Sequence, residues 1–71
     1  MMPHYRSKLT ALKAQRIAAG LSIGDCAKKA GVSDRTIVSV ESNGATTTSR
    51  EADLIATALG VSLATLGQVE I

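Results

Sequence analysis

Side chains that could read the edge of a nucleic-acid base recur over residues 34–42 of the 71-residue chain. The strongest candidate is Arg35, because one guanidinium can donate to both acceptors of guanine, a contact worth roughly 1–3 kcal/mol of discrimination. Ile37 and Val40 stand three residues apart, so in a helix they share one face and leave the polar side chains on the other. We predict base contacts from four residues of that outer face: Asp34, Arg35, Val38 and Ser39.

Asp34 and Val38 are expected to make different kinds of contact. Val38 can pack against a thymine methyl group, whereas the carboxylate of Asp34 would be repelled by phosphate. Asp34 could accept a hydrogen bond from a cytosine amine, orient Arg35, or complement the partial positive charge at the start of a helix. We favour the last of these uses.

The residues needed for enzyme chemistry are scarce. The chain has one histidine, His4, one cysteine, Cys26, and no recognisable pair of carboxylates, which leaves no group for acid–base or covalent catalysis. A single cysteine can form neither an internal disulfide nor a thiolate metal site. We therefore expect no catalytic residue, metal or cofactor, and we interpret Cys26 as a small core hydrophobe.

Two short helices joined by a tight turn must position the outer face. Ala27 is small enough to let the helices cross closely, and Gly31 can end the first helix in the left-handed conformation. Val32 can then fill the corner between the helices, and Ser33 can cap the second helix. The sequence therefore predicts a helix-turn-helix over residues 23–42.

Three more helices are predicted around this motif. We expect the first over residues 8–19, capped by Ser7. A fourth is expected over residues 49–59, where Thr48 begins a capping box, and a short fifth helix after Ser62. The expected fold is all-α with five helices.

Length and composition set the size and class of the protein. Seventy-one residues make one domain, which we divide into a flexible arm at 1–6, a folded domain at 7–66 and a tail at 67–71. Apolar residues make up 45% of the chain and Tyr5 is the only aromatic residue, so an aliphatic, helical core is expected. The net charge of +2 favours nucleic acid only slightly. With no apolar run of membrane-spanning length and no signal-peptide pattern, we expect a cytoplasmic, nucleoid-associated protein.

The run GLSIGDCAKKAGVSDRTIVSVESNG resembles the helix-turn-helix of the phage-repressor family, the Cro and lambda-repressor-like or XRE group. Residues 12–21 resemble its first helix, and IATALGVSLATL resembles its fourth and fifth helices. The resemblance implies a compact five-helix lambda-repressor-like DNA-binding domain, in which helices 2 and 3 form the helix-turn-helix. It also implies a bacterial or phage transcriptional regulator that binds an imperfect palindrome in double-stranded DNA as a homodimer, with repression as the favoured mode.

The resemblance adds contacts to the DNA backbone at both sides of the recognition helix. Free amides at the start of helix 2 can bind a phosphate, although Ile23 stands where many members have a glutamine, so weaker backbone contacts are expected there. In the family the loop after the recognition helix also follows the sugar-phosphate backbone. The predicted phosphate contacts are Ser22, Ile23, Ser33, Thr36, Ser42, Asn43, Thr46, Thr47 and Arg50.

Arg16 falls in the apolar stripe of the predicted first helix, where a charge needs a partner. The resemblance supplies that partner as Glu41, near the end of the recognition helix. A bidentate pair would hold the two helices together, and the alternative is two unrelated solvated charges.

The carboxyl end is the candidate subunit interface, through Leu63, Leu66, Val69 and Ile71. The tail is expected either to fray or to form a strand that pairs with its twin. In the alternative, Leu63 and Leu66 belong wholly to the core of the monomer.

Two functions from different classes are compatible with the sequence. The favoured function is the homodimeric DNA-binding regulator. The alternative is a protein-interaction module on the same fold, antitoxin-like or coactivator-like, in which the apolar carboxyl end binds a protein partner. A steep fall in affinity for duplex DNA with rising salt would distinguish the first from the second.

Overall fold

The computed structural model describes residues 6–70, so the predicted arm at residues 1–5 and the predicted contact at Ile71 lie outside the described part. The strands are β1 (Arg6–Leu9), β2 (Thr47–Thr48) and β3 (Gln68–Glu70), and the helices are α1 (Leu12–Ala18), α2 (Ile23–Ala30), α3 (Asp34–Asn43) and α4 (Ser49–Leu59). The longest helix, α4, has 11 residues, and over residues 6–70 no helix has the length and apolar character needed to cross a membrane.

Hydroxyl side chains begin α2, α3 and α4, as predicted. Ser22 Oγ accepts from the amide of Asp25 at 3.0 Å, and Ser33 Oγ accepts from the amide of Thr36 at 3.2 Å. Thr48 forms a complete capping box with Glu51. Each cap satisfies an amide that the first helical turn leaves without a partner, which is why these helices begin where the sequence predicts.

The turn between α2 and α3 has the predicted geometry. Gly31 adopts φ of +76°, a conformation that residues with a Cβ rarely take. The amide of Val32 then donates to the carbonyl of Ala27 at 3.0 Å, and the Val32 side chain packs against the core. Ala27 itself is buried at the crossing of the two helices.

A three-stranded sheet shows that the all-α prediction is wrong. β1 lies between β2 and β3 and runs antiparallel to both, with Ser7 opposite Thr47 and Lys8 opposite Val69. Arg6, assigned to the arm, and Ser7, assigned to a helix cap, are both part of β1. Buried Ser7 and Leu9 alternate with exposed Arg6 and Lys8, which is the two-residue period of a strand.

The first helix is consequently shorter than predicted. It begins at Leu12 rather than at residue 8, and no side chain caps it. The amides of Thr10 and Ala11 donate to the carbonyls of Gly67 and Leu66, at 3.2 and 2.8 Å. The segment before α1 therefore pairs with the carboxyl-terminal part of the chain instead of starting a helical turn.

The predicted fifth helix is absent from the described residues, where residues 63–67 form a single hydrogen-bonded turn. Ser62 does cap this turn, since its Oγ accepts from the amide of Thr65 at 3.1 Å. Gly67 then reverses the chain with φ of +70°, in a place where a Cβ would collide with Thr10. A helix cannot continue past this reversal, and the chain enters β3 instead.

The core lies between the helices and the inner side of the sheet. Its largest fully buried side chains are aliphatic: Leu12, Ile37, Ile55 and Leu66. The assignment of Leu66 to a subunit interface is therefore wrong, and Leu63 is partly buried against the same core. The tail pairs with β1 of its own chain, neither fraying nor needing a twin, because β1 offers it an unsatisfied strand edge.

Candidate nucleic-acid interface

Helix α3 has a buried face and an open face. Ile37 is fully buried and Val40 nearly so, whereas Val38 is 39% exposed. Arg35 is also exposed, and Ser39 is half-buried at the margin of the open face. The structure therefore brings Arg35, Val38 and Ser39 together on one outward surface, as the spacing predicts.

Asp34 lies where α3 begins, next to the first turn of α2. Its Oδ2 is 3.8 Å from the position that a Cβ on Gly24 would take. The carboxylate therefore faces the start of α2, where unpaired amides carry a partial positive charge. A negative charge at this point weakens the binding of a phosphate to the same amides without blocking it, in line with the weaker backbone contacts expected at the start of α2.

Arg16 and Glu41 form the expected ion pair between α1 and α3. Arg16 Nε donates to Glu41 Oε2 at 2.7 Å, and Nη2 donates to Oε1 at 3.0 Å. The two side chains are only 11% and 3% exposed. The hydrogen bond to Glu41 raises the pKa of Arg16 above its ordinary value, so the guanidinium stays charged over the physiological range.

The third nitrogen of this guanidinium makes a contact that the sequence did not predict. Arg16 Nη1 donates to the carbonyl of Leu21 at 2.8 Å. Leu21 directly precedes Ser22, the cap of α2, so one side chain fixes both the entrance to α2 and the end of α3. Backbone carbonyls leave no signature in a side-chain pattern, and this bond could be found only from the fold.

The predicted phosphate contacts differ in accessibility. Five of them are exposed, namely Ser22, Ser33, Ser42, Asn43 and Arg50. Three are partly buried, namely Ile23, Thr36 and Thr46. The hydroxyl of Ser22 accepts from the amide of Asp25 and keeps its own proton to donate to an oxygen acceptor. The hydroxyls of Ser33 and Thr36 lie 3.0 Å apart and share one hydrogen bond, so one proton of this pair is already used.

Comparison with known proteins agrees with this geometry. Residues 12–66 match a family model described as Helix-turn-helix, which is of the XRE type. The chain belongs to the XRE-type helix-turn-helix family. The matched range begins with the first residue of α1 and includes all four helices, while β1 and β3 lie outside it. Neither the search of curated proteins nor the search of solved structures found a significant match.

Membership in the XRE-type family confirms the resemblance to Cro and lambda-repressor-like proteins. The family is DNA-binding and regulatory rather than enzymatic in type. In the part of the chain from Arg6 to Glu70, no three histidine, cysteine, aspartate or glutamate side chains cluster as metal ligands would.

One predicted phosphate contact of this XRE-type domain, Thr47, is wrong. Its side chain is only 1% exposed, because the pairing of β2 with β1 turns it inwards opposite Ser7. The hydroxyl makes no hydrogen bond to any other described residue. Its neighbour Thr46 lies in the loop before β2 and is partly exposed, so Thr46 is the threonine of this pair that DNA could reach.

Arg6 is a residue that the predicted site omits. Its Nε donates to Thr46 Oγ1 at 2.6 Å, and its Nη2 donates to the carbonyl of Thr46 at 2.7 Å. The two residues are 40 positions apart in the chain, so no local pattern could have joined them. The connection depends on the sheet, which the sequence did not predict.

Cys26 provides a first test of the core of this XRE-type domain. It is fully buried, and that burial raises the pKa of its thiol. The folded state therefore holds the proton more tightly than the unfolded state, so the linked stability is complete below the ordinary thiol pKa of about 8.5 and is lost as pH rises above it. We expect urea unfolding to show a larger loss of stability between pH 8 and 10 for the wild type than for Cys26→Ala.

The same burial predicts slow modification of Cys26 by a thiol reagent in the native state and fast modification in urea. A native thiol that reacts as fast as a free cysteine would contradict the burial, as would equal pH profiles for the wild type and the alanine variant.

Proposed function

We propose that this protein is a homodimeric, sequence-specific regulator of transcription, a repressor in the favoured case, that inserts α3 into successive major grooves of an imperfect DNA palindrome. The observation that carries the proposal is the two-sided character of α3. Ile37 anchors one face in the core while Arg35 and Val38 stand in solvent on the other. A helix held in this way can enter a major groove with its anchor intact.

The backbone contacts proposed for DNA lie on both sides of this helix. Before it, the start of α2 offers Ser22 and the amide of Ile23, and Ser33 and Thr36 follow at the turn. After it, Ser42 and Asn43 are exposed at the end of α3, and Thr46 and Arg50 follow across the loop. Contacts on two sides of a recognition helix fix its orientation in the groove, which base contacts alone cannot do.

Dimerisation is proposed because one outer face carries few base-reading groups. Arg35 is its only cation, so a single half-site gives modest affinity, and two linked half-sites are needed for useful occupancy. Among the residues predicted for the interface, Val69 is 49% exposed. It belongs to β3, an edge strand of the sheet, and an open strand edge is a surface on which a second copy can add its own strand.

The alternative, a protein-interaction module, loses its main support. It requires an exposed apolar carboxyl end, but Leu66 is fully buried and Leu63 packs against the core. Val69 is the large apolar side chain that remains exposed in the described part of that end. The DNA-binding function therefore has the better support.

Selection from a random duplex library tests the proposal. We expect recovered sequences with two related half-sites about one helical turn apart. Affinity for the selected duplex should fall with salt, and two Arg50–phosphate contacts in a dimer alone predict a loss of about tenfold between 50 and 200 mM. Arg50→Ala should reduce the salt slope by about one unit per subunit.

The outcomes separate the two functions. Unrelated recovered sequences together with an affinity that salt does not change would contradict DNA recognition and return the interaction module as the better hypothesis. A single half-site without symmetry would preserve DNA recognition and contradict the homodimer.

A further inference from the structure

The loop between α3 and β2 is held from a distant part of the chain. It leaves α3 at Gly44, and its last residue, Thr46, receives both hydrogen bonds from Arg6. At 2.6 and 2.7 Å these bonds lie at the short end of the range for a charged donor. Arg6 thus holds the side chain and the backbone of Thr46 at the same time.

The two bonds determine what Thr46 can offer to a ligand. A threonine hydroxyl has one proton to donate and two lone pairs that accept. Because Arg6 Nε occupies a lone pair, the Thr46 proton must point towards some other acceptor. Nη2 likewise occupies the Thr46 carbonyl, an oxygen that would otherwise repel an approaching phosphate. With Arg6 in place the loop presents a donor and a nearby positive charge.

The sheet fixes Arg6 in the position from which it makes these bonds. β1 pairs with β2 so that Arg6 lies opposite Thr48, the residue that caps α4. On the other side, β1 pairs with β3 from Ser7 to Leu9. A side chain on the central strand of a sheet has less freedom than one on a mobile arm, so the guanidinium is preorganised for Thr46.

We propose that Arg6 is a positioning residue for DNA binding, which holds the α3–β2 loop in place and makes Thr46 a hydrogen-bond donor to a backbone phosphate. This inference rests on the proposed function. The family does not provide it, because the match begins at Leu12, after β1 has ended. The proposal gives Arg6 a geometric role, which differs from a simple attraction between an exposed cation and DNA.

Three variants can separate the contribution of the Arg6 charge to DNA affinity from the contribution of its two-point contact with Thr46. Arg6→Ala removes both, Arg6→Lys keeps the charge but not the two-point contact, and Lys8→Ala removes a comparable exposed charge from the same strand. We expect Arg6→Ala to weaken binding of the dimer to the selected duplex about tenfold, or about threefold for each half-site, because the Thr46 contact is misplaced rather than removed. Arg6→Lys should lose nearly as much, whereas Lys8→Ala should change affinity by only about twofold.

A double-mutant cycle tests the connection to Thr46. Thr46→Val removes the hydroxyl while keeping the branched shape, and Thr46→Ser keeps the hydroxyl as the control. We expect Arg6→Ala and Thr46→Val together to weaken binding little more than either change alone, since one misorients and the other removes the same Thr46 hydroxyl. Independent, multiplying effects would overturn the role of Arg6 in orienting Thr46.

Hydrogen exchange of the free protein supplies a readout that does not depend on DNA. The amides of Ala45 and Thr46 should exchange at least about fivefold faster in Arg6→Ala and Arg6→Lys than in the wild type, with no change in α2 as the internal control. Unchanged exchange in the loop, or full DNA affinity in Arg6→Lys, would overturn the proposal. If the wild type binds no duplex at all, the proposed function fails, and this inference fails with it even if the loop still depends on Arg6.

Discussion

Replacing Arg16 with alanine will lower the free energy of unfolding by about 3–5 kcal/mol, because the change leaves the carboxylate of Glu41 buried without its partner. The Glu41 side chain is only 3% exposed, so water cannot replace the guanidinium. The free carbonyl of Leu21 adds to the loss. For a domain of this length, the melting temperature should fall by at least about 12 °C.

Two controls isolate the ion pair in this experiment. Lys13→Ala removes an exposed cation from the same helix and should change the free energy of unfolding by less than about 0.5 kcal/mol. The double variant Arg16→Met/Glu41→Leu removes both charges and should be more stable than Arg16→Ala, because an apolar pair carries no desolvation cost. Thermal unfolding of Arg16→Ala at the wild-type temperature would contradict the role given to the pair.

Replacing Arg35 with alanine is expected to have the largest effect on DNA recognition. A guanine contact worth about 1–3 kcal/mol is lost in each half-site, so a dimer loses at least about 2 kcal/mol, or roughly 30-fold in affinity for its selected duplex. Binding to unrelated duplex DNA should change far less, because that binding depends on phosphate contacts. The ratio of the two affinities, measured at one salt concentration, is the quantity to follow.

Lys29→Ala is the matched control for Arg35. Lys29 is also an exposed cation on the helix-turn-helix, but it lies at the end of α2, beside α4. Its loss should weaken specific and unrelated binding about equally, if it changes either. If Arg35→Ala keeps the wild-type ratio of specific to unrelated affinity, Arg35 makes no base contact. The base contacts would then have to come from Val38, Ser39 and Asp34.

The helices from α2 to α4 could be predicted because the signals that bound them are local. Ser22, Ser33 and Thr48 each accept from an amide three residues ahead, so cap and partner stand together in the sequence. Gly31 ends α2 at the predicted residue, and α3 runs only one residue past its predicted end, to Asn43. The partition of α3 into a buried and an open face followed from the three-residue spacing of Ile37 and Val40.

The sheet could not be predicted because its determinants are distant from one another. Ser7 followed by Lys8 and Leu9 looks like a helix cap with a helical turn after it. Its strand conformation depends on partners at Thr47 and Glu70, 40 and 63 residues further along the chain. The errors at Thr47 and Leu66 share this cause, since each was judged as part of a loop or an end, and each faces the interior once β1 is present.

The Arg16–Glu41 ion pair joins distant residues, like the sheet, but one of its partners left a local signal in the sequence. Arg16 and Glu41 are 25 residues apart, but a charge within an apolar stripe demands a partner wherever it is found, and the family resemblance named one. The Arg6–Thr46 contact left no signal in the sequence, because an exposed arginine near the start of the sequence does not demand a partner.

The order of strands in the sheet has a consequence for how the protein is made. β1 is synthesised before all four helices, whereas its longer partner, β3, is synthesised after them. Until residues 68–70 leave the exit tunnel, β1 has only the two residues of β2 to pair with. The nascent chain therefore completes its sheet only after all four helices have been synthesised, and contacts of such long sequence separation form slowly.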